Sequence, residues 1–466
     1  MKIKSDKLIE YLFYLFVFLL PWQTRWIVSD FLIGGEVWEY GRISIYGFDL
    51  VFVILLACYL VKSVKVSKCP VSEYPVLASI RQSSRSGSKS FVFLLLCFFA
   101  FMSILWADNK ILSFYWGLRI LQGITLVWLM SKINFSHLKL MASFVLSMGF
   151  SAALGIYQFL TQSAFASKWL GLAVHSATVL GQSVVEVQGE RWLRAYGSLP
   201  HPNILGGFCL VALIFLAYYI LKTQQGLFSQ TNKKTKIIRL LLIIRPQRLS
   251  VAMVGVASYL LLITGAFFSF SRSAWLGLVL VDFIGSWILL KYGSEKVKQL
   301  VKRLWVYGTI LFFIFIFTCW PLVMTRLNMG VPARLELKSN EQRLEGYSDA
   351  FDIIKSHPVL GVGLGNYTNE LQKMYPDKPA WVYQPVHNIY LLILAELGMV
   401  GVLFAILLAC YFIKSVKVLE YPVSKSFVFL FFCFFVFMFF FDHFWWTLPS
   451  GTLLVFLSVG WVISNK

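Results

Sequence analysis

Apolar runs alternate with polar connections along the whole chain, at residues 8–22, 48–61, 91–106, 114–130, 138–160, 203–221, 251–268, 274–290, 304–323, 389–413, 427–441 and 452–463. A helix rising 1.5 Å per residue needs about 20 such residues to cross the hydrocarbon core, and several runs approach that length. The pattern predicts an all-α, polytopic transmembrane helical bundle of about 12 spans, a single integral membrane domain over residues 1–466. Lys2, Lys4 and Lys7 precede the first run and no small-residue cleavage site follows Pro21-Trp22, so this run reads as an uncleaved signal anchor. Residues 23–47 form the first outer connection. Two longer polar loops stand out, 161–202 and 324–387. In the second, Ser339-Asn340-Glu341-Gln342 has the capping-box pattern. Leu344, Tyr347, Phe351 and Ile354 follow at helical spacing, which predicts an amphipathic helical segment between spans nine and ten. His357-Pro358 ends it, and Gly361, Gly363 and Gly365 read as a turn rather than a phosphate cradle.

Composition fixes the class. The 466 residues are 58% hydrophobic, 17% aromatic and 14% charged, with a mean hydropathy of +0.72, far from a soluble average of about a quarter charged. A net charge of +20 invites a nucleic-acid reading. About two thirds of the 42 Lys and Arg residues, however, fall in alternate connections, chiefly 62–90, 222–249 and 291–303. Such a bias fixes those loops and both termini on the cytoplasmic side, and it excludes a nucleic-acid partner in favour of the lipid bilayer. A sequence duplication, residues 57–66 with 409–418 and 88–102 with 424–438, covers a span end, a basic loop and the next span. It is too local for a transporter-type repeat of whole bundles. The seven cysteines offer no pair in the outer segments, and no Cys/His spacing suits a metal, so no cofactor or metal is expected.

What remains is a set of cations and polar groups at the outer ends of the spans. Arg191, Arg194 and Gly197-Ser198-Leu199-Pro200-His201-Pro202-Asn203 lie at the entry to span six, and Arg272 lies between spans seven and eight. Arg343 and Tyr347 sit four apart on the amphipathic helix, and His387-Asn388 opens span ten. Singly, Arg191 or Arg343 is a solvated charge, His387 a helix-start residue and Asn203 a cap. Together they share one membrane depth, and an arginine pinned between apolar spans is costly without a partner or a wet cavity. Convergent guanidinium groups suit a phosphate, above all one that gains charge as a bond breaks. A histidine beside them has the proton affinity of a general base.

Ser198-Leu199-Pro200-His201-Pro202-Asn203, Phe270-Ser271-Arg272-Ser273-Ala274-Trp275, His357-Pro358 through Gly361-Val362-Gly363, and His387-Asn388-Ile389-Tyr390-Leu391 with Glu396-Leu397-Gly398-Met399-Val400-Gly401 resemble, in order, the pattern of the O-antigen ligase and polymerase superfamily. The resemblance implies a GT-C-like inner-membrane glycosyltransferase whose two long outer loops are periplasmic. Such an enzyme takes a glycan from undecaprenyl diphosphate without metal or nucleotide sugar. The acceptor in ligases is the lipid A core of lipopolysaccharide. The family's arginine falls on Arg272 and its histidine on His387, as catalytic residues. A second arginine, Arg191 or Arg194, would bind diphosphate, with Arg343, Tyr347, Asn203, His201 and Asn388 toward diphosphate or glycan. At Leu199-Pro200-His201 the chain departs from the commoner aromatic residue and Asn. The same donor and residues serve a polysaccharide polymerase or a protein O-oligosaccharyltransferase. A lipid-linked glycan transporter would carry charges deep in several spans, where this chain has only Arg119, Asp282 and Glu396.

Overall fold

The computed structural model describes residues 2–67, 97–231, 246–329, 334–417 and 421–464. The fold is mostly helical. Eight helices are long and apolar enough to cross a membrane: α2 (Gly47–Ser67), α3 (Lys110–Lys132), α4 (His137–Thr161), α5 (Pro202–Thr231), α7 (Arg272–Tyr292), α8 (Glu295–Thr318), α12 (Ile389–Lys417) and α13 (Pro422–Phe439). Between and beside them run α1 (Lys2–Leu19), α6 (Pro246–Phe268), the short α9 (Trp320–Arg326), α10 (Arg334–Ser356), α11 (Tyr367–Met374), α14 (Phe444–Thr447) and α15 (Pro449–Ser464). The apolar parts of α6 and α15 are shorter, Met253–Phe268 and Pro449–Ser464. The third expected span and the first half of the duplication lie partly outside the described residues.

The bundle is organised around α5. Of its apolar stretch 89% is buried inside the protein, against 11% for α8. It packs on α4, α6 and α7, and Phe208, Phe215 and Leu221 fill the core with Trp445 and Trp461. Gly206 and Gly207 near its start make room for two neighbours. A Cβ on Gly206 would stand 2.5 Å from the Ala274 Cβ of α7, and one on Gly207 would stand 2.9 Å from Phe444 and Trp445. These two close approaches bring the start of α7 and the 442–445 turn against the head of α5.

The tenth span is not one rod. The expected run 389–413 breaks at Gly398, whose φ of 62° and ψ of −165° interrupt α12, a backbone shape that any side chain would strain. The break frees carbonyls that the glycine turn satisfies. Val362 N–H donates to Ala395 O and Gly363 N–H to Glu396 O, both at 2.9 Å, and Met399 N–H returns to Pro358 O at 3.0 Å. Irregular backbone at such depth is tolerated where protein covers it. The amphipathic helix also starts before its capping-box pattern. Residue Arg334 is already helical and Ser339 lies inside α10, so there the local signal gave way to packing.

An all-α expectation misses the connections 23–46 and 161–202, which hold short antiparallel β-ribbons. In residues 23–46, β1 (Arg25–Ser29) pairs with β4 (Ile43–Tyr46), and β2 (Leu32–Ile33) with β3 (Glu36–Val37). In the loop 161–202, β5 (Ser163–Ala164) pairs with β6 (His175–Ser176), and β7 (Val184–Val187) with β8 (Glu190–Leu193).

Candidate functional site

The residues before α5 form a pinned turn. Gly197, at φ +63°, sits so close to the Ser151 carbonyl that a Cβ would meet it at 2.6 Å, and Gln158 accepts from its N–H at 2.8 Å. Arg194 is thereby turned inward and buried. Its Nε donates to the Ser269 carbonyl at 2.7 Å and its second nitrogen to Asn203 Oδ1 at 2.6 Å. Asn203 Nδ2 in turn donates to Asp442 Oδ2 at 2.9 Å. The amide is oriented by its neighbours, because a guanidinium only donates and a carboxylate only accepts.

Around Arg194 stand three more arginines. The Ser269-Phe270-Ser271 turn, with Phe270 at φ 46°, is closed by the Ser271 side chain accepting from Ala274 N–H, and it presents Arg272 as the first residue of α7. Arg272 donates to Asn340 Oδ1 at 3.0 Å and lies 3.9 Å from Glu336. Arg326, at the end of α9, donates to the Phe270 carbonyl at 2.9 Å and forms an ion pair with Glu336. Arg343 on α10 bears electrostatically on Arg194, Arg272 and His387 and has no carboxylate partner among the described residues. Of these four guanidinium groups, Arg272 and Arg326 reach the carboxylate of Glu336, and Arg194 and Arg343 form no ion pair among the described residues. Coulomb repulsion among them leaves a site short of negative charge, which an anionic phosphate group supplies.

On the other side of Asn203 lies a histidine cluster. The rings of His387 and His443 meet edge-on at 5.0 Å. His443 Nδ1 is bound to Thr447 Oγ1 at 2.7 Å, and His201 Nδ1 accepts from Asn203 N–H at 3.1 Å. Burial pushes His201 and His443 down to about 3. Burial lowers His387 as well, with Asp442 opposing and Arg343 adding to the fall, so at neutral pH it is an uncharged base. Burial favours the neutral form of Asp442, but the neighbouring histidines and the Asn203 hydrogen bond outweigh it and hold the carboxyl below its ordinary value. His387, Asp442 and His443 each offer one ligand atom within 4.8 Å of the others, a spacing that admits a divalent cation. The Asp442 carboxylate already receives Asn203 Nδ2 and the His443 N–H.

A cavity of about 460 Å³ opens on this cluster. Its inner wall is His201, Asn203, His387, Asp442 and His443, and its outer wall includes Arg25, Tyr40, Arg42 and Trp116. The four arginines do not line it, so the site has two parts, the cavity and the arginine group, with Asn203 between them.

The structure brings Arg194, Arg272, Arg343, Asn203, His201 and His387 to one place and leaves the other candidates outside. Arg191 is on β8, its guanidinium held by the Thr178 and Val179 carbonyls at the surface. Asn388 caps α12, accepting from Tyr390 and Leu391 N–H at 3.0 and 3.2 Å. Tyr347 packs against the apolar cluster beneath α10. Arg326, Glu336, Asp442 and His443 were not anticipated. For the last two a signal existed, an Asp-His pair between two apolar runs.

Fold and site together define a multi-pass membrane protein with a cation-rich polar site at one end of its helical bundle. Residues 257–406, about a third of the chain, match the family model described as O-Antigen ligase. The matched segment holds Arg272, Arg326, Arg343 and His387, while Arg194, Asn203 and Asp442 lie outside it. No curated protein matches the chain.

Proposed function

We propose that the chain is a membrane glycosyltransferase that moves a glycan from undecaprenyl diphosphate to an acceptor hydroxyl. The observation that carries this reading is the two-part site, an arginine group and a cavity with a neutral histidine, joined through Asn203. The arginines hold the diphosphate. His387 takes the proton from the acceptor hydroxyl as its oxygen attacks the anomeric carbon, with inversion. The bond from that carbon to the diphosphate breaks, and the charge left on the leaving oxygen is met by Arg272 and Arg194. Asp442 stabilises the protonated form of His387 through its charge.

In this reading about twelve spans cross the inner membrane with a GT-C-like arrangement and both termini cytoplasmic, and the site faces the periplasm. The acceptor is the lipid A core. Chain growth on a second carrier-linked glycan, or transfer to a protein hydroxyl, uses the same groups. The test uses purified protein in detergent with a carrier-diphosphate glycan, with and without lipid A core. Transfer only when core is present is the expected result, and growth without core makes the protein a polymerase. Full transfer by a folded His387→Ala or Arg272→Ala variant overturns the mechanism.

A further inference from the structure

The outer wall of the cavity lacks the cation excess of the arginine group. Arg25 and Arg42 reach it from the 23–46 ribbons, and both are already paired. Arg25 meets Glu39 at 2.7 Å, and Arg42 meets Glu39 at 2.8 Å and Asp30 at 2.5 Å. No lysine lines the cavity. Beside these ion pairs stand aromatic and neutral polar groups. Tyr40 packs edge-on against His443 at 5.7 Å, and its hydroxyl has no hydrogen-bond partner among the described residues. Trp116 and Gln384 complete the approach to His387.

From this we propose that the cavity is the acceptor subsite and that it selects an uncharged sugar chain, with the 23–46 ribbons as the specificity element. The inference rests on the glycosyl-transfer reading and adds the acceptor's chemistry to it. A phosphorylated acceptor would face Glu39, and the two guanidinium groups that line the cavity beside it already have their charge matched by carboxylates. A neutral pyranose needs no guanidinium. It offers a C–H face to Tyr40 or Trp116 and hydroxyl groups to the amides and the free Tyr40 hydroxyl, and it brings one of those hydroxyls toward His387. The diphosphate is kept with the arginine group, so donor and acceptor are sorted by charge before they meet.

The test measures binding to the full chain in detergent by calorimetry, using two oligosaccharides that differ only in one phosphomonoester. The neutral compound binds the wild-type protein roughly fivefold more tightly, the scale of exposed ion-pair effects. Glu39→Gln, which releases Arg25 and removes one of the two partners of Arg42, weakens or reverses that preference. Asp30→Asn, which releases only one partner of Arg42, shifts it the same way by less and covers the case in which Glu39→Gln fails to fold. Tighter binding of the phosphorylated compound to wild type, or a ratio unmoved by either folded variant, overturns the proposal. Transfer from the carrier-linked donor is followed on the same samples. Charge-selective binding with no transfer to either compound upholds the neutral-glycan site and overturns the glycosyltransferase reading.

Discussion

Asn203→Asp is the sharpest perturbation the site allows. The change is isosteric and keeps an acceptor facing Arg194, now with a charge. On the other side it turns the N–H donor toward Asp442 into an oxygen 2.9 Å from another carboxylate oxygen. Two full charges at that separation repel by about 6 kcal/mol at an effective dielectric of 20, equivalent to ~4 pKa units. Two carboxylates in that position do not both ionise, and they share a proton through neutral pH. Asp442 then loses much of the negative charge that supports protonated His387. The expected outcome is a fall in kcat of roughly 10²-fold, on the scale of losing general-base assistance, with little change in thermal stability, because Arg194 gains a charged partner as Asp442 loses one. The assay is glycan transfer in detergent across a pH series, with Tm measured on the same samples. The loss is partly relieved at high pH, where the shared proton leaves. Wild-type activity with an unchanged pH profile would refute the coupling of the cavity and the arginine group through Asn203.

His387→Ala lowers kcat by roughly 10²–10⁴-fold without lowering Tm, if His387 is the base; transfer kinetics on a folded sample check it. Arg326→Ala leaves Glu336, whose side chain is 3% exposed, buried beside Arg272 at a longer distance, and costs roughly 3–5 kcal/mol. Adding Glu336→Gln restores much of it, read by denaturant unfolding in detergent. Gly398→Ala forces a Cβ to within 2.2 Å of the Val359 carbonyl and strains a backbone shape reserved for glycine, so it destabilises by at least about 1–3 kcal/mol, seen as a lower Tm.

The bundle was legible because membrane burial demands long apolar runs and loop charge sets their direction. Arg272 was legible for the same reason, as a charge where the pattern allows none. Arg194 could not be separated from Arg191 in sequence, since Arg194 is closer to Gly197-Ser198 while Arg191 stands in the more polar context of Gly189-Glu190. In the structure the Arg191 guanidinium is held by the Thr178 and Val179 carbonyls, whereas Arg194 follows the strand into the pinned turn and is buried. The ribbons of two to five residues are too short to show a period. The break at Gly398 hides inside an unbroken apolar run, and its cause is the glycine turn at 361–363, far back in the chain. The Asn203–Asp442 bond joins residues 239 apart, a pairing that only packing of the 442–445 turn against Gly207 creates.

The charge arrangement also makes the base respond to its substrate. In the free protein Arg343 lowers the proton affinity of His387 while Asp442 raises it, and burial lowers it further, so the group titrates below its ordinary 6.5. A diphosphate settling among Arg194, Arg272, Arg326 and Arg343 brings at least as much negative charge as Glu336 supplies now, and it offsets the guanidinium that opposes protonation of His387. Negative charge nearby favours the protonated form, so the folded, donor-bound protein holds a proton on His387 to higher pH than the free one. Because kcat/KM follows the free protein and kcat the substrate complex, the acid limb of kcat/KM is expected below pH 6.5 and that of kcat at a higher pH. Replacing Arg343 with Gln raises the first limb, since it removes a cation that the donor would otherwise neutralise, and narrows the gap between the two. Coincident limbs in the wild-type protein, or a gap unaltered by Arg343→Gln, would show that the arginine group holds its anion without tuning the base.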